Sequence, residues 1–255
     1  MDELNYEMLM AFRQEWNDGP LSTSKKLERL RSIMNFAIDR EWVTKNAAKM
    51  IKSPKVKQSP TLPFTAEEMQ TILKTASDPM MRAFILVMRF SGLRISDTAM
   101  LAIDRVKDNK ITLYQAKTGE PVAVKIPQMV TDELQTMEAK SAKYFFWSGT
   151  SSSRTLVSVW GEKLRSLFKK AGIATGHSHR FRDTFAVNLL SAGVSIDDVS
   201  TLLGHTNVRI TQKHYSPWVK ARQAALDAAV EKANGWHELQ NQKPAVVLPI
   251  RRKRA

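Results

Sequence analysis

A proline-rich segment divides this chain and limits what the chain can fold into. The stretch KSPKVKQSPTLPF, residues 52–64, contains three prolines and no hydrophobic periodicity. Proline interrupts the interior of a helix and of a central strand, so this composition is typical of an extended linker. The residues on its two sides must therefore bury separate cores. We predict domains over residues 1–52 and 65–233, joined by a linker over 53–64 and followed by a tail over 234–255.

Helix signals dominate both predicted domains. Residues 21–48 carry apolar side chains at steps of three and four, with basic residues on the opposite side, which predicts an amphipathic helix. Thr65 followed by Glu68 is typical of a capping box, and a second helix is expected to begin at Asp78 and end at Gly92. The fold is expected to be mainly α.

Alternating apolar and polar residues indicate one small sheet. The stretch KITLYQAKTGEPVAVKIP, residues 110–127, predicts a β-hairpin with Lys117 at its turn. The aromatic run YFFWSG, residues 144–149, is read as a short strand, and a basic helix is expected over 157–170. The predicted fold class is therefore mainly α (α+β), with one small antiparallel β-sheet.

The last third of the domain reads as helices separated by glycine and proline. One helix is expected to end at Gly193 and the next at Gly204. A short helix then brings Tyr215 near its end, and Pro217 separates it from a final helix over 218–233.

The charge of the chain indicates a polyanionic partner. The 39 Lys and Arg residues exceed the 25 Asp and Glu residues, which gives a net charge of +14, so nucleic acid is the expected partner. The chain has no cysteine, which excludes disulfides, thiolate metal sites and a cysteine nucleophile and favours a reducing cytoplasm. No apolar run approaches the roughly 20 residues that a membrane span needs, so no membrane partner is expected.

The motifs of nucleotide-driven and metal-assisted chemistry are missing from the sequence. It contains no phosphate loop, no dinucleotide-binding glycine motif, and no carboxylate cluster spaced for two magnesium ions, so no cofactor is expected. Arginine, lysine, histidine and tyrosine near helix ends suit a phosphodiester instead. Guanidinium groups bind the charged phosphate oxygens, and a phenol near cations can act as the nucleophile.

Taken singly, each of these residues also has a structural interpretation. Arg94 and Lys117 could be solvated surface charges, and Tyr215 could be a half-buried core residue. Histidines could instead bind a metal ion, although no carboxylate or thiolate stands at a recognisable ligand spacing. That alternative site would use His177, His179, His205 and His214.

Taken in order, four segments resemble the tyrosine recombinase family, the phage-type integrases. They are SGLRISD with Arg94, AKTGE with Lys117, HRFRDTFA with His179 and Arg182, and LLGHTNVRITQKHYSPW with His205 and Tyr215. The resemblance covers residues 65–233 and implies a helical catalytic domain. Residues 1–52 then look like a short, partial or minimal version of the family's helical core-type DNA-binding domain.

The resemblance also implies a mechanism, a metal-independent transesterification. Tyr215 attacks a scissile DNA phosphate, forming a 3′-phosphotyrosyl link and a free 5′-hydroxyl that later reverses the reaction on a partner strand. By this resemblance, Arg94 and Arg182 would hold the phosphate oxygens, and Lys117 would protonate the leaving oxygen. His179 would be an acid-base group, and His205 would contact the phosphate. Asp97 would support the site from behind.

The sequence departs from the family pattern at two positions. Phe181 stands where many members carry leucine, and Asp183 where many carry histidine.

The resemblance implies a homo-tetramer on double-stranded DNA in the nucleoid. The apolar stretch PAVVLPI, residues 244–250, is expected to dock on a neighbouring protomer or to fold back on its own domain. The leading hypothesis is site-specific strand exchange, and the alternatives are a truncated DNA-binding or regulatory relative and a type IB topoisomerase-like relaxing enzyme.

Overall fold

The computed structural model describes residues 4–55 and 62–233 and forms two compact units, Met1–Ser59 and Pro60–Ala255. The boundary between the units falls inside the segment predicted as a linker. Over the described residues, no helix combines the length and the apolar character needed to cross a membrane.

The first unit contains two helices and a 3₁₀ turn. Helix α1 spans Tyr6–Gln14, α2 spans Pro20–Asp39, and the turn spans Ala47–Met50. Six buried side chains form its core: Leu9, Leu27, Met34, Ala47, Ala48 and Ile51. The prediction of one helix over 21–48 is wrong at its end, because Glu41 takes a left-handed backbone conformation (φ 59°) that ends helical hydrogen bonding.

The second unit is mainly helical, as predicted. Its helices are α3 (Ala66–Thr75), α4 (Pro79–Ser91), α5 (Ile95–Ala99), α6 (Gln128–Thr136), α7 (Ser153–Lys170), α8 (His179–Ser191), α9 (Ile196–Leu203) and α10 (Val208–Ala233), with a 3₁₀ turn at Ile103–Arg105. Helix α8 packs against α4, α9 and α10. Helix α8, which carries His179 and Arg182, thus packs against α10, which carries Tyr215.

Three antiparallel strands form the small sheet. Strands β1 (Val106–Lys107), β2 (Lys110–Tyr114) and β3 (Pro121–Lys125) are ordered β1-β2-β3. In the β2–β3 hairpin Leu113 pairs with Val122, and Lys117 lies in the connecting turn, which confirms the predicted hairpin. The fold class, mainly α with one small antiparallel sheet, is confirmed.

Local capping signals are also confirmed. Thr65 and Glu68 form a complete capping box at the start of α3, and Asp78 caps α4. Gly92 and Gly204 both end their helices in the left-handed conformation. The glycines thereby fix where the chain leaves α4 and α9.

Two expectations are wrong in this unit. The run over 144–149 forms no strand, and only a single bridge joins Tyr144 to Ala102. Its consecutive residues Phe145 and Phe146 are both buried in the core, whereas a half-buried strand would turn alternate side chains outward. Helix α10 does not stop before Pro217 but continues through it, so Tyr215 lies within one long helix.

Candidate active site

Four of the six predicted catalytic residues line one cavity in the second unit. Arg94 is the N-cap of α5, Lys117 is exposed in the β2–β3 turn, and His179 and Arg182 lie in the first turn of α8. The cavity has a volume of about 250 Å³ and all four side chains contribute to its wall. Residues far apart in the sequence are thus brought to one basic concavity.

Arg182 is held rigidly at the back of this site. Its side chain is 1% exposed, and its two terminal nitrogens donate to the carbonyls of Gly92 (2.8 Å) and Leu203 (2.6 Å). Nε of Arg182 is buried without a hydrogen-bond partner among the described residues. Burial, with repulsion from Arg94, lowers the pKa of Arg182 to about 10, so the guanidinium remains cationic at neutral pH.

The sequence did not identify Gln115, which links three parts of the site. Its buried amide oxygen accepts hydrogen bonds from Arg94 Nη1 and from the Thr118 hydroxyl, and its Nε2 donates to the Leu203 carbonyl at 2.7 Å. Leu203 therefore accepts from both Gln115 and Arg182. The carbonyl at the C-terminus of α9 therefore positions Arg182 directly and Arg94 through Gln115. This arrangement requires the hairpin and α9 to be in contact.

Glycine is required where this junction is tightest. Gly204 has φ +60°, and a Cβ placed there would lie 2.7 Å from Cδ of Gln115. Gly92 has φ +65°, and its Cβ would lie 2.4 Å from Cδ1 of Phe185. A side chain at position 204 would displace Gln115, which contacts Arg94. A side chain at position 92 would displace Phe185 of α8, the helix that carries Arg182.

Asp97, the acidic residue named in the sequence analysis, lies in α5 near Arg94. The carboxylate is buried, and its Oδ1 accepts the backbone N–H of Ala116 at 3.0 Å. Burial raises the pKa of Asp97, while that hydrogen bond and the charges of Arg94 and Arg182 oppose the shift. Asp97 thus connects α5 to the residue that precedes Lys117.

His205 is held as a neutral imidazole in the turn after α9. Its Nδ1 lies 2.8 Å from the hydroxyl of the fully buried Thr211. Burial, together with the positive charges of Arg182 and Arg94, lowers the pKa of His205 to about 3. A neutral ring whose Nδ1 accepts the Thr211 hydrogen bond has Nε2–H available as a donor.

Tyr215 is almost completely buried, with 2% of its surface exposed, and its hydroxyl donates to Oδ1 of Asp183 at 2.7 Å. Burial and the Asp183 charge raise the pKa of Tyr215, while Arg182 opposes the shift, so the phenol is neutral in this state. His179 Nε2 lies 3.9 Å from the same Asp183 oxygen, and burial lowers its pKa against the opposing effect of Asp183. Asp183 was noted in the sequence only as a departure from the family pattern.

The four-histidine metal site receives no support from the geometry. Among residues 4–55 and 62–233, no group of three or more histidine, aspartate or glutamate side chains could hold a metal ion. The ring of His214 lies beside that of Tyr215, with 6.2 Å between centroids, and His205 is directed to Thr211.

Comparisons with known proteins agree on one family. The model of the phage integrase family matches residues 63–220. Tyrosine recombinase XerA of Thermococcus kodakarensis is 29% identical over 200 residues, covering 74% of this chain and 70% of the relative. Tyrosine recombinase XerC of Leptospira interrogans is 28% identical over 213 residues, covering 76% of this chain and 67% of the relative.

Solved structures show the same fold at lower identity. A lambda integrase dimer bound to a COC′ core site superposes with a TM-score of 0.68 at 18% identity, covering 84% of this chain and 80% of that chain. The Tn1549 transposon integrase in complex with a circular intermediate DNA superposes with a TM-score of 0.65 at 17% identity, covering 84% of this chain and 82% of that chain.

Proposed function

The chain belongs to the phage integrase family and is a tyrosine recombinase, a DNA strand-transferring enzyme, and from this premise we propose that it recombines specific DNA sites through a 3′-phosphotyrosyl intermediate on Tyr215. The observation that carries this proposal is the basic cavity lined by Arg94, Lys117, His179 and Arg182. Two cations with planar donors and one flexible ammonium group suit a phosphate whose negative charge grows during attack.

In the proposed reaction the phenolic oxygen of Tyr215 forms a bond to phosphorus, and the bond between phosphorus and the 5′-oxygen breaks. Arg94 and Arg182 hold the non-bridging oxygens through charge-assisted hydrogen bonds. Lys117, which is exposed in the β2–β3 turn, donates a proton to the leaving 5′-oxygen. The phosphotyrosyl bond stores the energy for rejoining, so no nucleotide hydrolysis is needed.

The remaining predicted residues take supporting roles in this proposal. His205 donates a hydrogen bond from its neutral ring to a phosphate oxygen. Asp97 holds Arg94 in place relative to the hairpin. His179 serves as a general acid-base group near Tyr215. Because Tyr215 is buried, the cavity must open to its hydroxyl in the DNA-bound state.

We propose double-stranded DNA in the nucleoid as the partner and a homo-tetramer on DNA as the working assembly. The net charge of +14 supports a DNA partner. Lambda integrase is described as a tetramer bound to a Holliday junction, and at 18% identity this comparison supports only the fold. Docking of residues 244–250 on a neighbouring protomer remains a proposal, because that segment lies outside the described residues.

The proposal is tested by trapping the covalent complex. The DNA flanking the gene is first footprinted to find the bound site, and that site is then prepared as a duplex with a nick beside the scissile phosphate. The nick lets the released strand diffuse away, so cleavage accumulates as a protein–DNA adduct. The wild-type chain is expected to form the adduct, whereas Tyr215→Phe is expected to form none.

A matched control is Tyr114→Phe, which removes the hydroxyl of a tyrosine that is 73% exposed at the end of β2. This variant should form the adduct at the wild-type rate. Adduct formation by Tyr215→Phe would overturn the assignment of the nucleophile. Relaxation of supercoiled plasmids that lack the site would favour a topoisomerase-like enzyme, and salt-sensitive binding without cleavage would favour the DNA-binding alternative.

A further inference from the structure

The contact between Asp183 and Tyr215 has no assigned role in the reaction described above. The phenol donates to Oδ1 of Asp183 at 2.7 Å, and the two residues are 32 positions apart in the sequence. Asp183 is 7% exposed, on the buried face of α8, and meets Tyr215 from α10. A carboxylate is thus in hydrogen-bond contact with the proton that the nucleophile must lose.

Two of the ionisable groups near this contact, Arg182 and His205, have hydrogen-bond partners of their own. Arg182 donates to two backbone carbonyls, and Nδ1 of His205 is hydrogen-bonded to Thr211. His179 lies 3.9 Å from the Asp183 oxygen. The charge of Asp183 also acts on His177. Asp183 is the group that accepts the hydrogen bond of the phenol.

We propose that Asp183 is the general base that accepts the phenolic proton as Tyr215 attacks the phosphate. This inference rests on the proposed function, because it takes Tyr215 as the nucleophile. The proton on the phenol passes to Oδ1 of Asp183 while the oxygen–phosphorus bond forms. A second proton passes from Lys117 to the 5′-oxygen as its bond to phosphorus breaks. Rejoining reverses both transfers, so Asp183 returns the proton to Tyr215.

The timing of the transfer follows from elementary acid-base chemistry. A carboxylate is a much weaker base than a phenolate, so complete transfer before attack is unfavourable. As the phenolic oxygen bonds to phosphorus it loses electron density, and its proton becomes strongly acidic. A carboxylate that is hydrogen-bonded to the phenol is then a strong enough base to accept this proton. The same contact keeps Tyr215 neutral and hydrogen-bonded until a phosphate is present.

The test measures single-turnover cleavage of the nicked duplex by the full chain carrying Asp183→Asn. The asparagine oxygen can still accept the hydrogen bond, but the side chain is no longer a useful base. We expect the cleavage rate to fall by roughly 100-fold or more, with duplex affinity changed by less than about threefold. The matched control is Asp132→Asn, an exposed aspartate that also accepts a side-chain hydrogen bond, and it should cleave at the wild-type rate.

A pH profile separates base catalysis from a structural role. Without the internal base, cleavage by Asp183→Asn should depend on hydroxide and rise about tenfold per pH unit, whereas the wild-type rate should reach a plateau. A 5′-bridging phosphorothiolate, whose sulfur leaves without a proton, should rescue Lys117→Ala but not Asp183→Asn. A substitution that only disturbs packing would not produce this selectivity.

Asp183→Glu covers the case in which the asparagine variant does not fold. It retains a carboxylate, so it should cleave faster than Asp183→Asn and keep the plateau in its pH profile. Cleavage by a folded Asp183→Asn within about threefold of wild type, or faster than wild type, would overturn the inference. So would an Asp183→Glu rate no better than that of the asparagine variant. If Tyr215→Phe still formed the adduct, the proposed function itself would fail, which is a different result.

Discussion

His205 makes the stability of this protein depend on pH in a way that can be calculated. Its pKa is lowered from the ordinary value of 6.5 to about 3 by burial and by the charges of Arg182 and Arg94. In the unfolded chain these influences vanish and the imidazole regains its ordinary pKa. Replacing His205 by asparagine keeps a polar group near Thr211 but removes the titrating ring.

The sign and size of the effect follow from proton linkage. Between pH 6.5 and pH 3 the unfolded chain binds more protons at this position than the folded chain, so acid favours unfolding. The His205 contribution is fully present above pH 6.5 and is lost at up to about 1.4 kcal/mol per pH unit as the pH falls. With allowance for solvent screening of the partly exposed ring, the free energy of unfolding should decrease by about 1–2 kcal/mol from pH 7.5 to pH 5 through this residue alone.

Urea denaturation at pH 7.5 and pH 5, followed by far-UV circular dichroism, measures this difference. The decrease between the two pH values should be about 1–2 kcal/mol smaller in His205→Asn than in the wild-type chain. Other titrating groups, such as Asp97 with its raised pKa, are present in both proteins and cancel in the comparison. Equal decreases would show that the fold does not hold His205 neutral, and the proposed phosphate contact through a neutral ring would be refuted.

Two further substitutions test the junction behind the arginines. Gln115→Met removes the hydrogen-bond acceptor of Arg94, so the free energy of unfolding should fall by about 1–3 kcal/mol and cleavage should slow. The control Gln128→Met, at an exposed hydrogen bond, should change neither the urea midpoint nor the cleavage rate. Gly204→Ala adds a Cβ 2.7 Å from the Gln115 amide carbon as well as backbone strain, and should cost roughly 2–4 kcal/mol in urea denaturation. Gly119→Ala has a similar φ of +73° with open space around it, so it should cost about 1 kcal/mol and spare cleavage; equal costs would contradict the packing argument.

Local signals in the sequence predicted the helix boundaries best. The capping box of Thr65 and Glu68 and the left-handed stops at Gly92 and Gly204 depend on residues within one turn of each other. Such signals act whatever the rest of the chain does. The hairpin around Lys117 was predictable for the same reason, because its register follows from a short alternating pattern.

Tertiary packing explains what the sequence did not predict. An interior proline usually kinks or breaks a helix, but α10, which packs against α8 and α9, continues through Pro217. The contacts of Gln115 with Leu203 and of Asp183 with Tyr215 span 88 and 32 positions, and no spacing rule connects them. The resemblance named the residues that we propose contact a phosphate, whereas the partners that orient them appear only when α8, α9, α10 and the hairpin meet.

The most direct measurement is to identify the residue that carries the DNA. Trypsin cleavage of the trapped adduct after Lys213 and Lys220 releases the peptide HYSPWVK, residues 214–220, which contains a single tyrosine. After nuclease digestion, mass spectrometry should find a nucleotide on this peptide, joined through its 3′-phosphate to Tyr215. A nucleotide on Ser216, on another peptide, or joined through its 5′-phosphate would contradict the account.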